Sequence, residues 1–151
     1  MKGFCRLSGA ALATCFGSGY SPVAPGTVGS LLGALVFILI SRGHLLLLAP
    51  VIAVAWIGCG CGWRLWGKDP SKVNIDEFAG CWVACLASRP QWGLYGMATA
   101  FLLFRVMDIV KPWPVSLLDR IDSPLGILAD DLAAGLLAAG ALLVAGMLLP
   151  W

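Results

Sequence analysis

Two long stretches without a charged side chain constrain the fold of this chain more than any other feature. Residues 45–63 and 132–149 contain no Asp, Glu, Lys or Arg. A transmembrane helix needs about 20 consecutive apolar residues, and in a bilayer a helix pairs every backbone polar group within its own segment. Both stretches are therefore predicted to be membrane-spanning helices.

Further apolar segments extend this pattern. "LLGALVFILI" predicts a helix from Leu31, and residues 76–88 and 92–111 predict a helical hairpin followed by a loop over 112–129. Each helix of the hairpin has fewer apolar residues than a span needs, so the sequence leaves open whether the pair crosses fully. The stretch "GSGYSPVAPGTVGS" at 17–30 is rich in Gly and Pro, which predicts irregular backbone before the first span.

Composition supports the same fold class. The 151 residues are 60% hydrophobic and 12% charged, whereas soluble domains average about 25% charged residues. The prediction is an all-α chain, with residues 1–151 forming a single polytopic membrane helical bundle of about four to five helices. A net charge of +2 gives no support for a nucleic-acid partner. The cysteines and the single His44 lack zinc-site spacing, so the cysteines are interpreted as small buried apolar side chains.

The charges predict an orientation. With an inner N-terminus, eight basic residues fall on the inner side and two on the outer side, as the positive-inside rule expects. The inner set is Lys2, Arg6, Arg64, Lys68, Lys72, Arg105, Lys111 and Arg120, and the outer set is Arg42 and Arg89. All eight acids also fall on the inner side: Asp69, Asp76, Glu77, Asp108, Asp119, Asp122, Asp130 and Asp131.

Acidic pairs recur at two predicted helix starts. In "DEFAG" at 76–80 and "DDLAAG" at 130–135, a glycine lies one turn after the acids, where it would let another backbone or a ligand approach closely. An ordinary N-cap is the alternative interpretation for Asp76 or Asp130. Grouped carboxylates without His or Cys favour a hard cation with oxygen ligands, Mg²⁺ before Ca²⁺.

Two further segments could bind an anion. Arg105, Asp108 and Lys111 are spaced by three and are predicted to share a helical face, either as a salt bridge or as a contact for a phosphate-bearing headgroup. The loop at 17–30 offers backbone N–H groups that could cradle phosphate, with Ser21 and Thr27 near a headgroup, or it is a simple entry turn. It lacks the G-K-[ST] of a nucleotide-binding loop.

Taken in order, "GSGYSPVAPGTVGS", "IDEFAG", "FRVMDIVKPWP" and "ADDLAAG" resemble the phosphatidylglycerophosphatase A family of bacterial inner-membrane lipid phosphatases. The resemblance extends roughly from residue 15 to residue 140. It implies Mg²⁺-dependent hydrolysis of phosphatidylglycerophosphate to phosphatidylglycerol and phosphate. Asp69 matches the start of the second motif, while "SPLGILADD" stands where relatives tend to carry paired glycines.

The resemblance and the charge pattern give the following site hypothesis. The expected metal ligands are Asp76, Glu77, Asp130 and Asp131; the expected catalytic residues are Asp108, Lys111 and Asp131; the expected substrate contacts are Ser21, Thr27, Arg105 and Lys111. Asp108 is the expected base or a further metal ligand. The expected partners are a membrane phospholipid substrate and the lipid bilayer, with the site facing the cytoplasm; the sequence does not address the oligomeric state.

Other functions make different demands on the sequence. A phosphatase for another lipid monophosphate would use the same residues. A small ion-coupled transporter would need an acid near the middle of a span, and residues 31–41, 45–63 and 132–149 contain none. A metal-dependent phosphatidyltransferase would need a D-G-x-x-A-R motif, which is absent.

Overall fold

The computed structural model describes residues 2–40, 42–68 and 70–148, with side chains from Arg6 onward. Asp69 and the side chain of Lys2 therefore lie outside the described residues. Within them the chain forms seven α-helices and no strand. The helices are α1 (Lys2–Ala13), α2 (Pro25–Leu39), α3 (His44–Trp66), α4 (Ile75–Cys85), α5 (Gly93–Val110), α6 (Val115–Leu118) and α7 (Pro124–Leu148).

The all-α prediction is confirmed, but the predicted count of four to five helices is wrong. The two unexpected helices are α1, which precedes the Gly-rich loop, and α6, a single turn after Pro114. The helices were predicted from long apolar runs. Helix α1 has 12 residues and α6 has 4, so neither contains such a run.

Three helices are long and apolar enough to cross a membrane, judged by length and composition. They are His44–Trp66, Pro90–Val110, which includes the 3₁₀ turn before α5, and Pro124–Leu148. The second helix of the predicted hairpin therefore qualifies as a span. By contrast, the 11 residues of α4 cover roughly 17 Å at 1.5 Å per residue, about half of a hydrocarbon core.

Helix α4 lies in the middle of the bundle and packs against α2, α3, α5 and α7. Its side chains are buried almost without exception, including Trp82 and Cys85. Trp82 contacts the ring of Phe37 on α2, and its indole N–H donates to the carbonyl of His44 on α3. Since α4 is enclosed by protein, its polar first turn does not have to face lipid.

The most extensive helix contact is between α4 and α7, and two glycines allow it. A Cβ added at Gly80 would lie 2.6 Å from the carbonyl oxygen of Asp131, and one at Gly135 would collide with the carbonyl oxygen of Gly80. The group that approaches each of these glycines closely, as predicted, is thus the backbone of the other helix of the α4–α7 pair. It brings the acids of α4 beside those of α7.

Two predicted helix starts are wrong. Helix α7 begins at Pro124 rather than at residue 132, so Asp130 and Asp131 lie inside it instead of opening it. The start follows from local chemistry: Pro124 suits the first helical position, and the Ser123 hydroxyl accepts the Gly126 N–H at 3.2 Å.

Helix α2 likewise begins at Pro25 rather than at Leu31. The Gly- and Pro-rich stretch is irregular up to Ala24, apart from a 3₁₀ turn over Ser18–Tyr20. Proline at the first helical position lacks an N–H that would be unpaired there anyway, and its fixed φ suits the helix.

Candidate active site

The acids of the chain come together in one cavity of about 190 Å³ at one end of the bundle. The start of α4, the first turns of α7, the end of α5 and the segment after α6 all contribute to it. All seven acids that the structure describes line it: Asp76, Glu77, Asp108, Asp119, Asp122, Asp130 and Asp131. The predicted common location of the acids is therefore observed for these seven.

Three of the acids form the tightest group. Ligand oxygens of Asp76, Glu77 and Asp131 lie within 4.8 Å of one another. Asp76 and Asp131 are buried, with 6% and 4% of their surface exposed. Asp76 and Glu77 occupy the first turn of α4, where the helix dipole favours negative charge. The Oδ1 atom of Asp76 accepts the Glu77 N–H at 3.1 Å.

This carboxylate triad, Asp76–Glu77–Asp131, is electrostatically costly by itself. Burial raises the pKa of Asp76. Burial, and then the charge of Asp76, raise the pKa of Glu77 well above its ordinary value. Among the described residues, Glu77 Oε2 and Asp130 Oδ1 are buried without a hydrogen-bond partner. Converging carboxylate oxygens, some of them unpaired, fit a hard divalent cation such as Mg²⁺.

Asp130, the fourth predicted metal ligand, is not part of this triad. Its Oδ2 accepts a hydrogen bond from Lys111 Nζ at 2.9 Å, and the same ammonium contacts Asp119. Burial alone would lower the pKa of Lys111, but the hydrogen bonds to Asp119 and Asp130 raise it overall. Lys111 therefore places a lasting positive charge beside the triad.

The shared helical face predicted for Arg105, Asp108 and Lys111 holds for the first two residues alone. Helix α5 ends at Val110, and Lys111 adopts a left-handed conformation with φ 49° and ψ 57°. The following Pro112 disfavours helix at the residue before it. As a result, the Lys111 side chain joins the acids of α7 and the α6–α7 segment instead of the α5 face.

Arg105 connects α5 to α2. Its Nη1 donates to Asp108 Oδ2 at 2.6 Å and to the Ser30 hydroxyl at 3.2 Å. The Ser30 hydroxyl in turn donates to the carbonyl of Gly26 at 2.8 Å. Arg105 and Asp108 side chains are 16% and 15% exposed, so this pair is largely shielded. Asp108 thus reaches the cavity with one oxygen already fixed by Arg105.

Ser21 and Thr27, the predicted headgroup contacts of the Gly-rich loop, do not line the cavity. The Ser21 hydroxyl instead donates to the carbonyl of Val23 at 2.9 Å. The segment meets the site through Gly26, where an added Cβ would collide with Glu77 Oε1. The absence of a side chain at this position therefore makes room for a triad carboxylate.

Sequence reasoning missed Asn74, which fixes the loop against the start of α4. Its side chain is fully buried, and its Nδ2 donates to the Ser18 hydroxyl at 2.9 Å and to the Pro25 carbonyl at 3.1 Å. An Asn directly before "IDE" was the available signal, since Asn is a preferred residue at helix starts. Lys68 and Arg120 were also missed as cavity residues; their place in polar segments between helices was the signal.

Comparisons with known proteins identify the family of this chain. The family model described as Phosphatidylglycerophosphatase A matches residues 11–146. A Bacteroides thetaiotaomicron protein named "Putative phosphatidylinositol-3-phosphatase" is 38% identical over 140 residues, covering 82% of this chain and 84% of that protein.

Two relatives are named Phosphatidylglycerophosphatase A. The Escherichia coli protein is 34% identical over 144 residues, covering 89% of this chain and 81% of its own length. The Haemophilus influenzae protein is 34% identical over 134 residues, with coverages of 84% and 82%. No solved structure matches the chain. From the family match and the extent of these similarities, the chain belongs to the phosphatidylglycerophosphatase A family.

Proposed function

We propose that this protein is a membrane phosphomonoesterase that hydrolyses phosphatidylglycerophosphate to phosphatidylglycerol and phosphate with the help of Mg²⁺. The observation that carries the proposal is that a largely buried carboxylate triad and Lys111 line one cavity at the end of apolar helices. Such a cavity suits a substrate that is anionic at one end and apolar at the other. The names of two relatives support the choice of lipid.

Mg²⁺ would be held by Asp76, Glu77 and Asp131, whose oxygens already converge. When bound, the ion would polarise a phosphoryl oxygen and lower the pKa of a coordinated water. Asp130 Oδ1, which is buried without a hydrogen-bond partner among the described residues, could accept from a water at the same site. The positive charge of the ion would also offset the repulsion among the three carboxylates, which burial strengthens by excluding water.

Lys111 is proposed to neutralise the phosphoryl oxygens. Its two carboxylate partners, Asp119 and Asp130, hold the ammonium at the cavity wall. A positioned cation stabilises the negative charge that is spread over the phosphoryl oxygens in the transition state. Replacing one of these carboxylate contacts with a phosphoryl oxygen would keep the ammonium paired throughout.

Asp108 is proposed as the general base. Water adds to phosphorus, the bond from phosphorus to the glycerol oxygen breaks, and Asp108 accepts the proton that the water loses. The leaving glycerol oxygen takes up a proton, returned by Asp108 or donated by solvent water, so that phosphatidylglycerol leaves as the alcohol and phosphate is released. Arg105 fixes one oxygen of Asp108 at 2.6 Å and leaves its other oxygen for the water. A base must lie within hydrogen-bond reach of the proton it takes, and the position of Asp108 in the cavity lining supports this role.

The protein is further proposed to reside in the bacterial cytoplasmic membrane with this cavity on the cytoplasmic side. The excess of Lys and Arg predicted on that side supports the orientation. An ion-coupled carrier has less support, although α7 does contain Asp130 and Asp131. These acids lie about 9–11 Å from the start of a helix of 25 residues, not at its middle.

The test is phosphate release by the purified protein in detergent from three lipid monophosphates, with Mg²⁺ or with excess EDTA. The panel is phosphatidylglycerophosphate, phosphatidic acid and phosphatidylinositol 3-phosphate. We expect Mg²⁺-dependent release, fastest from phosphatidylglycerophosphate. Undiminished release in EDTA would refute the metal role. A clear preference for phosphatidylinositol 3-phosphate, which the name of the Bacteroides relative raises, would refute the choice of substrate.

A further inference from the structure

A second, apolar cavity of about 330 Å³ adjoins the acidic one, between the end of α3 and the start of α7. We refer to it as the α3 groove. Its lining includes Trp56, Ile57, Gly60, Trp63, Arg64 and Pro124. Trp63 also lines the acidic cavity, so the two cavities meet at this side chain.

The α3 groove leads from the acidic cavity along a candidate membrane span. From Arg64 to Trp56 it follows about 12 Å of α3 at 1.5 Å per residue, away from the end where the acids lie. Trp56 and Ile57 are 46% and 55% exposed, which suits contact with hydrocarbon. The groove is therefore adjacent to the acidic cavity at Trp63 and has exposed apolar side chains on the side of the bundle.

The groove is open because of a glycine. Among the described residues, no heavy atom lies within 4 Å of a Cβ built at Gly60. A side chain at this position would therefore start in open space and extend from Gly60 into the groove that this residue lines. Gly140 on α7 has the same open surroundings but lines neither cavity, so it provides a matched control.

We propose that the α3 groove binds an acyl chain of the substrate lipid and that Gly60 keeps this binding site open. The inference rests on the proposed lipid phosphatase function. The lipid has a terminal phosphate, a glycerol, a phosphodiester and then its acyl chains. The protein presents the acidic cavity, then the exposed Arg64 and Trp63 at its edge, and then the apolar lining around Gly60. Arginine suits a phosphodiester contact at that position.

A larger apolar groove, of about 580 Å³, lies between α1, α2, α3 and α4 and is lined by residues such as Leu32, Val51 and Phe78. Its described lining shares no residue with the acidic cavity. The α3 groove is therefore the binding site that the geometry favours.

The first test compares Gly60→Leu with Gly140→Leu. Both changes add the same side chain to a helix at an open position and remove a glycine, so their effects on helix propensity match. The measured quantity is the ratio of kcat/KM for dioleoyl phosphatidylglycerophosphate in mixed micelles to kcat/KM for its fully deacylated headgroup. Phosphate release from either substrate by the wild type establishes the proposed function separately.

We expect Gly60→Leu to lower this ratio about tenfold, which corresponds to about 1.4 kcal/mol of lost preference. Gly60→Ala should lower it less, and Gly140→Leu should keep the wild-type value. An unchanged ratio in Gly60→Leu would overturn the proposal. If Gly60→Leu does not give a monodisperse protein, Gly60→Ala carries the comparison.

The second test needs no turnover. A phosphatidylglycerophosphate with a diazirine in one acyl chain is photoactivated in phosphatidylcholine micelles containing the protein, and the labelled peptides are identified by mass spectrometry. We expect labelling of the α3 segment around Trp56 and Ile57, reduced in Gly60→Leu and retained in Gly140→Leu. Labelling confined to Leu32, Val51 and their neighbours would overturn the proposal, even if phosphate release is normal.

Discussion

Replacing Asp131 with Asn should make the metal-free protein more stable and abolish the stabilisation by Mg²⁺. The three triad carboxylates have ligand oxygens within 4.8 Å of one another. Two full charges at 4.8 Å repel by about 3.5 kcal/mol at an effective dielectric constant of 20. Asp131 has two such neighbours, and an Asn side chain of the same shape removes both repulsions.

The realised gain is smaller than this sum, because buried carboxyl groups take up protons rather than bear the whole repulsion. We expect the free energy of unfolding of the metal-free variant to exceed that of the wild type by about 1–2 kcal/mol. For a chain of this length, each kcal/mol raises the melting temperature by about 2–4 °C. Mg²⁺ at 100 times its dissociation constant stabilises a one-site protein by about 2.7 kcal/mol. The wild type should show this gain, and Asp131→Asn should lose most of it.

The assay is thermal unfolding in detergent, followed by tryptophan fluorescence, in excess EDTA and over a Mg²⁺ titration. Asp122→Asn is the matched control, because Asp122 lines the same cavity but is exposed and pairs with Lys68 at 2.9 Å. Exposed pairs contribute at most about 1 kcal/mol, so this control should keep the Mg²⁺ response. A variant Asp131→Asn that melts earlier in EDTA and keeps the full Mg²⁺ response would refute the reasoning.

Three further predictions concern the groups around the triad. Gly26→Ala places a methyl group against Glu77 Oε1 and should raise the Mg²⁺ concentration for half-maximal phosphate release at least tenfold; an unchanged value would contradict it. Lys111→Met should lower kcat by about 10²–10³, the typical cost of losing a transition-state donor, with Lys111→Arg retaining more activity. Arg105→Lys should lower kcat with little change in KM, because one ammonium cannot reproduce the planar donor set that fixes Asp108.

The long apolar helices and the common location of the acids could be predicted from the sequence for simple physical reasons. A long run of apolar residues without charge favours a helix that pairs its own backbone polar groups, and α3 is such a helix. Alternating helix directions then bring the starts of α4 and α7 and the end of α5 to the same end of the bundle. The separate motifs of the sequence therefore had to meet.

The remaining features depend on contacts between segments, which a linear pattern does not contain. The run without charged residues alone placed the start of α7 at residue 132, although Ser123 and Pro124 already form a suitable start. The spacing of Arg105, Asp108 and Lys111 predicted a continuous face, but Pro112 turns Lys111 toward Asp130. The role of Gly26 likewise depends on the position of Glu77, 51 residues later in the chain.

The short, enclosed helix α4 explains how a chain with such apolar helices can hold three acids close together, two of them buried. Asp76 and Glu77 belong to the first turn of a helix that is surrounded by protein, so their charges are removed from water without being placed in lipid. The glycine contact at Gly80 and Gly135 then fixes the distance between α4 and α7. With that distance fixed, the carboxylates cannot separate to relieve their repulsion. Protonation or a bound cation must relieve it instead, and the Mg²⁺ dependence of stability distinguishes the two.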